Sequence, residues 1–97
     1  MAQVIDSIKL AQIKQLICKY FGNECELAVR IARAESGLRE NAIGDHGSSL
    51  GLFQVNFVHW HKVNCNLLEA ECNIKLAKQI RDGSSWLAWS VYKNKTF

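Results

Sequence analysis

The residue in this sequence best suited to acid chemistry is Glu35. On a helix, residues 28, 31, 32 and 35 share one face, and Ala28, Ile31 and Ala32 make that face apolar, so the Glu35 carboxyl ends an apolar stripe. A carboxyl carried into a low-dielectric setting resists ionisation, and the raised pKa lets it donate a proton near neutral pH. General-acid cleavage of a glycosidic bond needs such a group. The plainer expectation, which position alone favours, is an exposed glutamate paired with Arg30, Arg33 or Arg39. Four cysteines form two C-x6-C pairs, and an even count in a short chain is expected to join Cys18 to Cys25 and Cys65 to Cys72 in an oxidising compartment. Two other readings stay open: zinc held by His59, His61, Cys65 and Cys72 at spacings that match none of the familiar fingers, and four buried thiols in a cytosolic protein. No cofactor is expected otherwise. His46, His59 and His61 have no acid partner at recognisable spacing and are assigned no chemistry of their own.

Glu35-Ser36-Gly37 is followed by Gly44-Asp45-x-Gly47 and then by Gly51-Leu52-Phe53-Gln54-Val55-Asn56. Farther on come Asn73-Ile74 with Ala77 and Ile80, and Trp86-x-x-Trp89-x-x-Tyr92-Lys93-Asn94. In this order, over residues 18–97, the blocks resemble the family that joins goose-type lysozymes to the soluble lytic transglycosylases. The resemblance implies a peptidoglycan-cleaving enzyme in which Glu35 protonates the glycosidic oxygen between N-acetylmuramic acid and N-acetylglucosamine. It also implies that Gln54, with the backbone of Val55 and Asn56, hydrogen-bonds the sugar beside that bond, and that Tyr92 orients the acid. Ser36 is the small polar neighbour that supports a bound water, or else a residue of the helix end. Asp45 stands where the goose-type branch keeps an aspartate to hold water for direct attack. The second carboxylate of that branch falls at Asn56, which can orient a water but cannot take its proton. Inverting hydrolysis is the resulting expectation. The alternatives are a lytic transglycosylase that leaves 1,6-anhydro ends and a catalytically silent glycan-binding module. Trp60, Trp86 and Trp89 are candidate sugar-stacking platforms; core packing is the commoner expectation for Trp86 and Trp89, and Trp60, in a loop-like His-Trp-His run, is the better candidate for the groove.

These residues need helices to hold them. Ile5, Ile8, Ile13, Leu16, Ile17 and Tyr20 follow helical spacing, with Asp6 or Ser7 as cap and Gly22 past the end. A second helix opens at Asn23 or Glu24, runs through Glu35 and stops at Gly37. The stretch from Gly37 to Ser49 is rich in glycine and predicts an ordered loop with a tight turn at Gly44-Asp45-His46-Gly47. Leu50 to Asn56 is apolar enough for a short buried helix or strand, and a helix after a Ser48-Ser49 cap is the preferred expectation. Cys72, Leu76 and Ile80 set a helix ending at Gly83, and Ser84 or Ser85 caps a last one carrying Trp86 and Trp89. The fold class expected is all-α, a lysozyme-like domain of about five helices with an ordered active-site loop.

The chain of 97 residues is read as a single domain, residues 1–97, because so short a chain cannot support two cores. A content of 48% hydrophobic and 22% charged residues belongs to a folded domain. No apolar run approaches the roughly 20 residues of a membrane span. Asp6 and Lys9 interrupt the apolar stretch of Met1 to Leu10, so no signal peptide is expected in this chain. A net charge of +3 without a Lys/Arg run argues against nucleic acid and suits an anionic polymer such as the cell wall. The expected partner is peptidoglycan, met by a monomer in an extracellular or periplasmic setting or by phage delivery to the wall.

Overall fold

The computed structural model describes residues 7–97, so the expected contributions of Ile5 and Asp6 to the first helix lie outside the described residues. Helix α1 (Ser7–Phe21) buries Ile13, Ile17 and Phe21. One 3-10 turn, Gly22–Glu24, leads into α2 (Cys25–Ser36), and the Cys18–Cys25 disulfide closes that corner. Helix α2 buries Ala28, Ile31 and Ala32, the stripe read from the sequence. It ends where Gly37 turns left-handed at φ 66° and donates its N–H to the Arg33 carbonyl at 2.8 Å. Helix α3 (Ala70–Ser84) presents Ile74, Leu76, Ala77 and Ile80 to the core. Cys65 and Cys72 are joined to each other, so neither serves as a zinc thiolate.

The segment from Leu50 to Asn56, where a helix is the preferred expectation, is instead the end of the middle strand, a turn and an edge strand of a small sheet. Strands β1 (Ile43–Gly44), β2 (Ser49–Leu50) and β3 (Val55–Asn56) are antiparallel in that order, with Gly44 opposite Ser49 and Ser49 opposite Asn56. The molecule is therefore mostly helical rather than purely all-α. Its physical reason lies in α3. Buried Asn73 accepts from the Phe53 N–H at 2.9 Å and donates to the carbonyls of Leu50 at 2.8 Å and Leu67 at 2.9 Å. The bonds to Leu50 and Phe53 satisfy backbone groups of the β2–β3 turn, which a helix would have satisfied internally, and the bond to Leu67 ties the turn to the loop before α3. Gly51 takes φ 79°, and a Cβ there would lie 2.1 Å from Asn73 Nδ2 and 2.4 Å from the Leu67 carbonyl. Only glycine lets the chain pass so close.

The last helix is also shorter than expected. A 3-10 turn (Trp86–Ala88), capped by Ser85 Oγ accepting from Leu87 N–H, precedes α4 (Ser90–Lys93), with Trp89 extended between them. A 3-10 turn has 3.0 residues per turn, which puts residues three apart on one side. Trp86 and Trp89 both turn inward as expected, with ring centroids 5.3 Å apart, Trp86 stacked on Phe21 and Trp89 edge-on to Phe53. Glu24 accepts both Arg81 bonds, at 2.7 and 3.0 Å, and the Trp86 indole N–H at 3.2 Å. One carboxylate thus ties the start of α2 to the end of α3 and to the Trp86 segment.

Candidate active site

Between the end of α2, the sheet and the Trp86–Ser90 segment lies a cleft of about 290 Å³. Helix α2 supplies Glu35 to it, and the sheet and its turns supply Asp45, Ser49, Gln54, Val55 and Asn56. His59 enters from the 3-10 segment Phe57–Lys62, and Ile80, Ala88, Trp89 and Ser90 close the far side.

Glu35 is half-buried at the end of its apolar stripe, and among the described residues it forms no ion pair with an arginine. Its pKa is pushed up to about 7, first by burial and then by the negative charge of Asp45. Asp45 lies beyond β1 in a left-handed turn, at φ 52°, followed by His46 at φ 56°. Aspartate tolerates that conformation better than most residues. The turn is fixed by Ser48, whose N–H and hydroxyl both donate to the Asp45 carbonyl, at 3.1 and 2.7 Å. The Asp45 side chain is held separately: its Oδ2 accepts from the Ser49 hydroxyl at 2.7 Å.

Gln54 lines the cleft but spends its amide nitrogen on the protein, donating to the carbonyls of Ala42 at 3.1 Å and Gly51 at 2.9 Å. Its Oε1 passes over Gly44, 2.3 Å from where a Cβ there would stand, and accepts no hydrogen bond among the described residues. The Val55 carbonyl already accepts from the Trp60 indole at 2.9 Å. Asn56 lines the cleft and accepts from the Val58 N–H at 3.3 Å through Oδ1, and its side-chain nitrogen donates no hydrogen bond among the described residues.

Three expected participants lie elsewhere. The Ser36 hydroxyl is buried and donates to the Ala32 carbonyl at 3.0 Å, inside its own helix. Trp60 packs edge-on to Phe57 at 6.4 Å and is not part of the cleft lining. Tyr92 stacks on Phe97 at 5.5 Å and shares a different crevice with Arg30 and Leu87. The extended backbone at Trp89 separates Tyr92, on the short α4, from the 3-10 turn that carries Trp86. Two cleft residues had no catalytic signal in the sequence, Ser49, which becomes visible only once β2 pairs with its neighbours, and His59; Trp89, whose commoner expectation is core packing, both packs in the core and lines the cleft. The His59 pKa is lowered by burial and then by the nearby charges of Lys62 and His61, with Lys62 Nζ 2.9 Å from Nδ1.

Residues 18–91 match the family described as lysozyme like domain, a span that takes in Glu35, Asp45 and every cleft residue. The chain belongs to that lysozyme-like family. No curated protein and no solved structure matches the chain. Membership in the lysozyme-like family ties the domain to peptidoglycan and to glycosidase-type enzymes.

Proposed function

We propose that this lysozyme-like domain is a muramidase that hydrolyses the β-1,4 bond between N-acetylmuramic acid and N-acetylglucosamine with inversion. The observation that carries this reading is the setting of Glu35, raised to about 7 in a cleft that also holds the charge of Asp45. Two carboxyls in one cleft with different environments divide naturally into acid and base. Glu35, protonated near neutral pH, gives its proton to the glycosidic oxygen as the bond to the anomeric carbon breaks. Asp45 takes a proton from the water that attacks that carbon from the opposite face, so the departing sugar leaves as an alcohol and the new end is a reducing sugar of inverted configuration. Asn56 orients the water, and Gln54 Oε1 accepts from the bound sugar. The net charge of +3 favours a wall polymer carrying lactyl and peptide carboxylates.

The two disulfides fit work outside the cytoplasm, in an extracellular or periplasmic setting or after phage delivery. Among the described residues no helix is long and apolar enough to cross a membrane. The test is release of soluble fragments from purified peptidoglycan by the parent protein, Glu35→Gln and Asp45→Asn. Activity in the parent and its loss in both variants, at unchanged circular dichroism, is expected. A Glu35→Gln variant that keeps most of its activity would remove Glu35 from the acid role.

A further inference from the structure

Asp45 is exposed, yet its carboxylate has one bond that fixes it among the described residues, and that bond comes from Ser49. Ser49 is unusual in the cleft because it is 2% exposed and still contributes to the lining. Its single hydroxyl hydrogen is committed to Asp45 Oδ2, so toward a ligand or water it can only accept. The sheet register explains how it is aimed. Gly44, Ser49 and Asn56 are directly opposed across β1, β2 and β3, and directly opposed residues project to the same face. That face carries Gln54 Oε1 over Gly44, the Ser49 hydroxyl and the Asn56 amide in one polar row beside Asp45.

We propose that Ser49 is the positioning residue for the attacking water: it locks the Asp45 carboxylate in place so that Oδ1 and the Asn56 amide nitrogen hold the water on the side of the cleft away from Glu35. The proposal rests on the hydrolytic reading above, in which Asp45 is the base. The N–H and the hydroxyl of Ser48 both hold the Asp45 carbonyl independently of Ser49, so the Ser49 hydroxyl governs the Asp45 side chain and not the turn. Among the described residues, the charged and titratable groups that line the cleft with Glu35 are Asp45, from the turn after β1, and His59, from the 3-10 segment, and it is Asp45 whose charge acts on Glu35. If Ser49 no longer restrains Asp45, the carboxylate swings toward water and its push on Glu35 weakens.

The experiment compares Ser49→Ala, Ser49→Thr, Asp45→Asn and the double variant Ser49→Ala with Asp45→Asn, on purified peptidoglycan across pH. For Ser49→Ala, kcat is expected to fall about ten- to a hundredfold, the loss of one hydrogen bond to a charged group, with little change in KM. The high-pH limb of its activity profile, set by Glu35, shifts to lower pH. Ser49→Thr keeps the hydroxyl and restores most of the rate, and the double variant is no slower than Asp45→Asn alone. An inactive Asp45→Asn beside a Ser49→Ala with normal kcat and an unmoved pH limb would sink the Ser49 role alone. A Ser49→Ala effect confined to KM, or a Ser49→Thr as slow as Ser49→Ala, would also overturn it. An active Asp45→Asn would instead overturn the hydrolytic reading beneath it.

Discussion

A single carboxyl, Glu35, ties the chemistry of this domain to its pH behaviour. Cleavage is expected to fall as pH rises past about 7, when Glu35 loses the proton it must donate. The same shift has a stability sign that activity does not reveal. Because the folded pKa lies above the unfolded value of 4.5, the native state binds more protons between those limits, and stability declines as pH rises from about 4.5 through 7. Glu35→Gln removes that penalty. It should therefore be more stable than the parent above pH 7, by about 1–2 kcal/mol once solvent screening of a half-exposed group is allowed for, and no more stable at low pH. Urea unfolding at two pH values checks this, and equal stability at high pH would argue that burial of the carboxyl is slight. At this scale the sequence was most informative where one helix face decided the matter, as for Glu35 on the stripe of Ala28, Ile31 and Ala32. It was least informative for Ser49 and Trp89, whose roles depend on strands and turns contributed by distant residues.

The β2–β3 turn is the element on which the site depends most and the one that local periodicity misread. Nothing within Leu50 to Asn56 announces that Asn73, on α3, will accept and donate the bonds that hold this turn open. Gly51 and Gln54, both at positive φ, make the bend, and a helix-period pattern is blind to that. Two glycines that share a left-handed backbone, Gly22 and Gly51, are expected to respond differently to substitution. Gly22→Ala meets nothing within 4 Å and costs only the conformational strain, about 1–2 kcal/mol. Gly51→Ala must in addition displace Asn73 and the Leu67 carbonyl, which raises its cost by about 1–3 kcal/mol more. Denaturant midpoints decide it: equal costs would mean that the turn accommodates a side chain without moving Asn73. The helices were legible for the opposite reason, since α1, α2 and α3 each declare their buried face within their own sequence.

Across the whole molecule one core joins α1, α2, α3 and the turn, with Ile17, Ile31, Phe53, Ile74 and Leu76 fully enclosed and the two disulfides pinning its corners. Each bridge closes a loop of sequence separation 7. Short loops of this kind add at most about 2–3 kcal/mol apiece in the chain-entropy account. Reduction is accordingly expected to lower the melting temperature by about 10 °C or more while leaving a cooperative transition, which a calorimetric scan with and without reductant reads directly. Loss of all cooperativity would mean that the bridges, not the core, define the fold. The central claim, that Glu35 and Asp45 hydrolyse the glycan, is tested most directly by mass analysis of fragments released from purified peptidoglycan. The parent protein is predicted to release muropeptides with reducing ends, each heavier by one water than its 1,6-anhydro counterpart, and Glu35→Gln to release none. Predominantly 1,6-anhydro ends, or no fragments from the parent protein, would contradict it.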